Sequence, residues 1–406
     1  MRLTGFLNQK RLRDYPRLFL TAMILVMAFN VILGEGWMGA VKQIIGCDFI
    51  VLYSGGQLYK EDITRLYDFQ YQGDLQKKLI SPTPFWGIMP FTYPPYAAMA
   101  LSPFSIFKLP FAFAIWIFLT LAATVLSAFW LHRFLTPGWL KQAGLTFSQL
   151  LILIFSFFPF VEGFQVGQNH GFTLLLITGI VIFTLTEKWY LAGFMAGLMI
   201  YKPQFIIGFL ILWIVWRKYK PLAAFIITGL SWTGVFILKH GFVPIQAYLS
   251  SIPVILRMTF LQGEYLEVTP YGLLTSILPS SWWQGILVFS QVLTIILGFG
   301  LGYYAFIRRK QPLSNQKPAL MLAILYPLLV APHTLLHDLI ILIPLFILWS
   351  SIERSRRLLY ICISVYLLTL VLPPITHATG IALLGLIPVI LAIILNRQSK
   401  VEWSTA

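Results

Sequence analysis

The chain has 406 residues, of which 58% are hydrophobic and only 11% charged, and its mean hydropathy is +0.80. Soluble domains carry about 25% charged residues, so this composition excludes a soluble enzyme, a disordered chain and a collagen-like protein. The two cysteines exclude a disulfide framework and a cysteine-based zinc site. A surface this apolar has to face lipid, and the length accommodates about a dozen membrane crossings of roughly 20 residues.

Apolar runs follow one another along almost the whole chain and predict the membrane spans. The first, at 18–33, follows a basic N-terminal segment without a small-residue cleavage site, so we expect a retained span rather than a signal peptide. These runs predict an all-α polytopic membrane protein with about 12 transmembrane helices. The further runs lie at 111–131, 148–161, 171–186, 189–201, 204–216, 221–239, 284–307, 319–331, 337–350, 357–373 and 379–395.

Two segments depart from simple spans. Residues 94–109 are apolar but rich in proline, and they are predicted to be re-entrant or interfacial. Residues 189–216 are predicted to form a short helical hairpin that turns at Lys202-Pro203, because proline ends the preceding helix. Glycine pairs spaced four residues apart predict close helix packing at Gly193 with Gly197 and at Gly298 with Gly302.

The positive charges predict the orientation of the spans. Lys and Arg are enriched in cytoplasmic segments, and a cytoplasmic N-terminus puts 20 of the 29 basic residues but only 4 of the 14 acidic ones on the inner side. Both termini are then cytoplasmic, and orientation explains nearly all of the net charge of +15 without a nucleic-acid partner. The expected location is a bacterial plasma (inner) membrane, because the chain has no N-glycosylation sequon.

Polar residues collect in the segments predicted to be extracytoplasmic. These are a long first loop at about 34–92, a second large loop at about 240–283 and shorter turns. Ionisable groups close to hydrocarbon are costly and usually face a functional cavity. The candidate site residues are Asp48, Tyr93, Gln168, Lys202, Arg257, His333, His337 and Asp338.

Each candidate also has a purely structural explanation. Asp48 can cap a helix, Lys202 can snorkel to the interface, and Gln168 can satisfy turn backbone. Tyr93 can be an interfacial belt residue, and Arg257 can simply be solvated. His333 can be a structural histidine, and His337 with Asp338 can be a structural pair at a helix start.

A carboxylate together with Lys, Arg and His side chains predicts group transfer from a phosphate carrier to an alcohol. The cations can bind a phosphate and stabilise it as it leaves, while the carboxylate deprotonates the attacking hydroxyl as a general base. Nucleotide donors are scarce outside the cell, which favours a lipid-linked donor. P-loop, G-x-G-x-x-G, H-E-x-x-H and G-x-S-x-G motifs are absent, so ATP pumping, Rossmann chemistry and zincin chemistry lack support.

A series of short motifs resembles glycosyltransferase family 87. The resemblance spans about residues 45–350, and two positions depart from the family pattern: Ala331 replaces a serine, and Asp338 stands where some members carry a second histidine. The motifs, in chain order, are Asp48-Phe49 with Tyr53 and Leu66-Tyr67-Asp68, Phe91-Thr92-Tyr93-Pro94-Pro95 with Pro103, Gly167-Gln168, Ala192-Gly193 before Lys202-Pro203, and the late loop Pro332–Asp338.

The resemblance implies a single GT-C-like transmembrane domain over residues 1–406, with a cavity open to the outer leaflet. It implies a polyprenol-phosphate-mannose-dependent mannosyltransferase, with a polyprenyl-phosphate sugar as donor, a lipid or glycan as acceptor, membrane lipids around it, and no cofactor or metal. It implies Asp48 as general base, in what we expect to be an inverting transfer. We expect the donor phosphate to be bound by Lys202, His337, Arg257 and His333. We expect the sugar or acceptor to be bound by Tyr93, Gln168 and Asp338.

Three other classes stay open at this point. A secondary transporter or lipid flippase would show inverted repeats and midplane ionisable residues, whereas here the polar residues cluster at one predicted face. A non-catalytic assembly or polymerisation factor for surface polysaccharide would tolerate loss of Asp48. A polysaccharide ligase or polymerase would depend on outer-loop Arg and His rather than on an Asp in the first loop.

Overall fold

The structure is a computed structural model that describes residues 9–84, 89–261 and 266–403. Within these ranges regular structure is helical, and β pairing is limited to isolated bridges. The α-helices of the described ranges are α1 (Gln9–Ile32), α2 (Cys47–Glu61), α3 (Phe69–Ile80), α4 (Pro95–Leu101), α5 (Leu109–Trp130), α6 (Gly138–Gln142), α7 (Phe147–Phe155), α8 (Phe158–Val166), α9 (His170–Leu185), α10 (Trp189–Leu198), α11 (Ile207–Val215), α12 (Tyr219–His240), α13 (Val243–Leu261), α14 (Pro270–Ile277), α15 (Trp283–Arg308), α16 (Lys317–Val330), α17 (Leu342–Ser350), α18 (Arg356–Thr379) and α19 (Leu386–Trp403).

Five helical segments of the described chain are long and apolar enough to cross a membrane. A sixth span is added if α7 and α8, which meet at 63°, cross as one bent pair. These helices support an integral, polytopic all-α membrane protein, whereas the number of about twelve crossings stays a prediction. The five segments are Lys10–Ile32, Leu109–Leu135, Tyr219–His240, Ser280–Arg308 and Arg356–Thr379.

The segments predicted as long loops contain helices. Residues 34–92 include α2 and α3, and residues 240–283 include α13 and α14. The run 148–161, predicted as one span, is broken between α7 and α8. Pro159 lies in the first turn of α8, where its ring excludes the carbonyl of Phe155 from a continuous helix.

The chain forms two compact units. The helix α2 is the core of the first unit and is buried along most of its length. It packs against α3, α4, α5 and α8. Two consecutive glycines of α2 permit this packing, because a Cβ at Gly55 would lie 2.5 Å from the Phe91 ring and one at Gly56 would lie 2.7 Å from the Leu101 carbonyl oxygen. The first unit comprises Met1–His132, Gly138–Phe172 and Phe236–Ser251.

The helix α16 is the core of the second unit. It packs against α11, α15, α17 and α19, and most of its side chains are buried. Gly208 of α11 lies against the backbone of Ala323, since a Cβ at this glycine would be 2.7 Å from the Ala323 carbonyl oxygen. This unit comprises Arg133–Pro137, Thr173–Val235 and Ile252–Ala406.

The predicted helix break at Lys202-Pro203 is confirmed. The helix α10 continues as a 3₁₀ turn to Tyr201, a second 3₁₀ turn starts at Pro203, and α11 follows from Ile207. Lys202 therefore lies between two helical segments of 13 residues each, Trp189–Tyr201 and Pro203–Val215.

The predicted close packing at Gly193 and Gly197 is also present, against α12. A Cβ at Gly193 would lie 2.1 Å from the Pro221 carbonyl oxygen. We expect Gly193→Ala to force the two helices apart and to destabilise the fold by about 1–3 kcal/mol. The measurement is thermal unfolding of the purified protein in detergent.

The matched control is Gly300→Ala in α15, because a Cβ there meets nothing within 4 Å. Alanine is the better helix former by about 1 kcal/mol, so this variant should melt at or above the wild-type temperature. Equal melting temperatures for the two variants would contradict the close packing of α10 on α12.

Candidate active site

Asp48 lies in the first turn of α2 and is partly exposed. The N-cap residue Gly46 adopts a left-handed conformation with φ 65°, and its N–H donates to the Gln165 carbonyl at 3.0 Å. A side chain larger than glycine would be strained at this position, because φ is positive and a Cβ would lie 2.9 Å from the Phe113 ring. The positive end of the α2 dipole stabilises a carboxylate in this turn.

The Gln168 side chain fixes one oxygen of Asp48. Its Nε2 donates to Asp48 Oδ2 at 2.8 Å. Its Oε1 accepts from the Asn169 backbone N–H at 2.9 Å and from the Tyr93 hydroxyl at 3.1 Å. The backbone N–H of Asn169 can only donate, so the Gln168 atom next to it must be the oxygen Oε1. The amide nitrogen of Gln168 therefore faces Asp48.

The predicted Gly-Gln turn brings Gln168 to Asp48. Gly167 ends α8 with φ 74°, which side chains other than glycine rarely adopt. A Cβ at Gly167 would lie 2.7 Å from Phe49 Cβ, and the Gly167 carbonyl accepts from Trp116 Nε1 at 2.8 Å. The turn is short, because α8 continues to Val166 and α9 begins at His170.

Tyr93 completes a network of four side chains in the first unit. Its hydroxyl donates to Gln168, as described, and accepts from Asn169 Nδ2 at 3.1 Å. Asp48, Tyr93 and Gln168, which the sequence singled out separately, are therefore joined through hydrogen bonds. The network can hold a carboxylate in one orientation beside a phenol, which suits proton transfer to or from a bound hydroxyl.

The Leu66-Tyr67-Asp68 motif holds the backbone at Tyr93. The Tyr67 hydroxyl donates to the Tyr93 carbonyl at 2.7 Å, and burial, with smaller contributions from Tyr248 and Tyr96, raises the pKa of the Tyr67 phenol. The phenol therefore stays protonated and remains a donor.

Two buried glutamines of α3 bind the backbone that leads to Tyr93, at Met89 and Phe91. Gln72 Oε1 accepts from the Phe91 N–H at 2.8 Å, and Gln76 Nε2 donates to the Met89 carbonyl at 2.7 Å. Asp68 caps α3 by accepting from the Tyr71 N–H at 3.1 Å. Neither glutamine could be predicted from the sequence, because a single Gln in a helix gives no sign that tertiary contacts bury it.

A second cluster, in the second unit, contains Lys202, Asp338 and His337. The three residues are 6%, 4% and 2% exposed. Lys202 Nζ donates to Asp338 Oδ1 at 2.8 Å, while Asp338 Oδ2 accepts from the Leu335 N–H at 3.3 Å and lies 3.8 Å from His337 Nε2. Asp338 thus compensates the charge of Lys202, as a buried ammonium requires.

His333 pairs with Glu267, which is 3% exposed and was not among the candidates predicted from the sequence. The His333 Nδ1 and Glu267 Oε1 atoms are 3.4 Å apart, and the two segments are joined by the Val268 N–H bond to the Thr334 carbonyl at 2.9 Å. Gly272 makes room for the carboxylate, since a Cβ there would lie 2.3 Å from Glu267 Oε2.

The remaining candidate, Arg257, belongs to α13, and its side chain lies outside the described residues. Among the side chains that the structure describes, no group of three His, Cys, Asp or Glu residues could hold a metal ion.

Residues 91–336 match the model of glycosyltransferase family 87, which is more than half of the chain. The chain belongs to glycosyltransferase family 87. Membership implies a membrane glycosyltransferase, which uses a sugar donor and an acceptor. None of the curated proteins and none of the solved structures compared with the chain matches it.

The family 87 match includes Tyr93 and Gln168 of the first cluster and Lys202 of the second. Asp48 precedes the matched range, and His337 and Asp338 follow directly after it. The roles of these three residues therefore depend on their geometry and on the short motifs around them.

The buried pair of Lys202 and Asp338 makes a testable contribution to stability. We expect Lys202→Met to destabilise the protein by about 3–5 kcal/mol, because it leaves the Asp338 charge buried and uncompensated. Lys77→Met is the control, since Lys77 lies 3.9 Å from Asp74 on an exposed surface, and such pairs contribute about 1 kcal/mol or less. Thermal unfolding in detergent measures both.

The double variant Lys202→Met with Asp338→Leu should recover most of the loss, because it removes both charges together. A double variant that unfolds as early as the single one would show that charge compensation is not what stabilises this cluster.

Proposed function

We propose that this family 87 protein transfers a hexose, mannose, from a polyprenyl-phosphate sugar to a lipid or glycan acceptor at the extracytoplasmic face of a bacterial plasma membrane. The observation that carries the proposal is the Asp48 carboxylate, which is partly exposed at the start of α2 and is oriented by the Gln168 amide. A fixed carboxylate at a helix N-terminus is suited to act as a general base.

The proposed transfer inverts the anomeric centre. Asp48 accepts the proton of the acceptor hydroxyl as the hydroxyl oxygen attacks the anomeric carbon. The bond between that carbon and the phosphate oxygen breaks, and its electron pair leaves with the polyprenyl phosphate. Gln168 keeps the base in position, and together with Tyr93 it shapes the sugar and acceptor pocket.

The proposed binding groups for the donor phosphate are Lys202 and His337, with Arg257 and His333 as further contributors. An ammonium carries three donors, so Lys202 can bind a phosphate oxygen while it keeps its bond to Asp338. Neutralising the phosphate as it leaves stabilises the transition state. Asp338 was expected to bind the sugar or the acceptor substrate. In this proposal it acts indirectly, because it fixes the position of Lys202.

Family membership favours a transferase over a transporter, a flippase or an assembly factor. A polysaccharide ligase or polymerase differs in its donor, since it transfers a preassembled glycan rather than one hexose.

The identity of the donor is therefore the first property to test. Purified protein is given polyprenyl-phosphate mannose, polyprenyl-phosphate glucose or a nucleotide sugar, and products are identified by mass spectrometry. A product heavier by one hexose with only the lipid-linked mannose supports the proposal.

Replacing the proposed base gives the sharpest test of mechanism. Asp48→Asn keeps the size of the side chain but removes the proton acceptor, so we expect kcat to fall about 10²–10⁴-fold. The control is Asp74→Asn, which makes the same change at a carboxylate that is exposed on α3 and should leave the rate unchanged. The rate is measured as hexose transfer in detergent or liposomes.

Both variants should bind the polyprenyl-phosphate donor as the wild type does. Full activity in Asp48→Asn would remove Asp48 from the role of base. An equal loss in Asp74→Asn would show that the change acts through the fold rather than through the chemistry.

The Tyr93 hydroxyl should matter through Gln168. Tyr93→Phe removes one donor to Gln168 Oε1 and one acceptor for Asn169, and each such bond is worth about 0.5–1.5 kcal/mol. We expect kcat to fall up to about tenfold, with a small change in KM. Tyr71→Phe, at a partly exposed tyrosine of α3, is the control, and kinetics that match it would contradict a positioning role for Tyr93.

A further inference from the structure

A groove of about 440 Å³ lies between α18 and α19 in the second unit. It is outside residues 91–336, the part of the chain that matches the family. Most of its lining is aliphatic, and Arg357 is the first lining residue along the chain. The others are Tyr360, Ile361, Ser364, Val365, Leu368, Ile387, Ile390, Leu391 and Ile394.

The groove has the length of one acyl chain. Along α18 it extends from Arg357 to Leu368, which is roughly 16 Å at 1.5 Å per residue. One leaflet of the hydrocarbon core is about 15 Å thick. A single chain of a phospholipid can therefore lie along it within one leaflet.

Positive charges gather at one end of the groove. After α18, the 3₁₀ turn Leu383–Gly385 contacts both α18 and α19, and residues of both helices line the groove, so α19 runs back along α18. Arg397 follows Ile394 by three residues, which is one turn further along a similar face. Arg356 and Arg357 begin α18, Arg354 lies two residues before it, and all four arginines are exposed.

The acidic residue nearest to this end in sequence is Glu353. Glu353 accepts from Trp349 Nε1 at 2.8 Å and from the Ser355 hydroxyl. Arginine binds phosphate with two parallel donors, so an apolar groove with arginines at its end matches an anionic head group on an acyl chain. The sequence also predicts this end to be cytoplasmic, where the surface of a membrane is negative.

We propose that the groove between α18 and α19 binds one anionic phospholipid, with an acyl chain along the groove and its phosphate on Arg357 and Arg397. A zwitterionic phospholipid carries a compensating ammonium and binds more weakly. The polyprenyl-phosphate donor is a different ligand, and it does not occupy this groove.

The test uses the purified, delipidated full-length protein and native mass spectrometry. Phosphatidylglycerol and phosphatidylcholine with the same acyl chains are added separately, and bound lipids are counted. We expect the wild type to retain phosphatidylglycerol at least tenfold more strongly. Each arginine contributes about fivefold, so Arg357→Gln with Arg397→Gln should bring the two lipids close to equal retention.

Arg309→Gln is the matched control, because it removes the same charge at an exposed residue after α15 and leaves the groove intact. It should retain phosphatidylglycerol like the wild type. The proposal is overturned if the wild type does not distinguish the two lipids, if Arg309→Gln loses as much as the double variant, or if a polyprenyl phosphate displaces phosphatidylglycerol at equal concentration.

A second measurement needs no variant. Phosphatidylglycerol with a photoactivatable group in its acyl chain should label residues 357–368 and 387–394 of the wild type. Labelling elsewhere, or equal labelling by the corresponding phosphatidylcholine, would overturn the proposal.

Discussion

The hydrogen bond from Gln168 to Asp48 is the interaction on which the proposed chemistry of the first unit depends. It joins residues 120 positions apart, and it forms only because the end of α8 approaches the start of α2 closely. Glycine is required on both sides of that approach, at Gly46 and Gly167, since both adopt positive φ and both contact bulky aromatic side chains. The Asp48 carboxylate, the Gln168 amide and the two glycines therefore depend on one another.

Local signals in the sequence predicted some of this arrangement. Proline and glycine act on their own backbone, so the break at Lys202-Pro203 and the turn at Gly167-Gln168 could be located without knowledge of the fold. The helical class followed from long apolar runs. Asp48 stood out as an acidic residue of the predicted first extracytoplasmic loop and of the Asp48-Phe49 motif, and the structure places it in the first turn of α2.

Other features depend on tertiary contacts and could not be predicted. Ser54-Gly55-Gly56 favours a turn, yet it lies within α2, because Phe91 and the end of α4 pack onto those glycines and outweigh their low helix propensity. Lys202 and Asp338 are 136 residues apart, so neither indicates its partner in the sequence. Gln72 likewise gives no sign in the sequence that its side chain accepts from the backbone N–H of Phe91, a bond that forms only in the folded chain.

The short helices on either side of Lys202 have a consequence for the bilayer. Each segment has 13 residues, so it reaches about 20 Å, whereas the hydrocarbon core is about 30 Å thick. Hydrophobic mismatch of this size is relieved by local thinning of the bilayer or by entry of water. The ammonium of Lys202 is compensated by Asp338 inside the protein, so a mismatch would act on the two short helices rather than on the charge, and the acyl-chain length of the host lipid would bear on how these helices are accommodated.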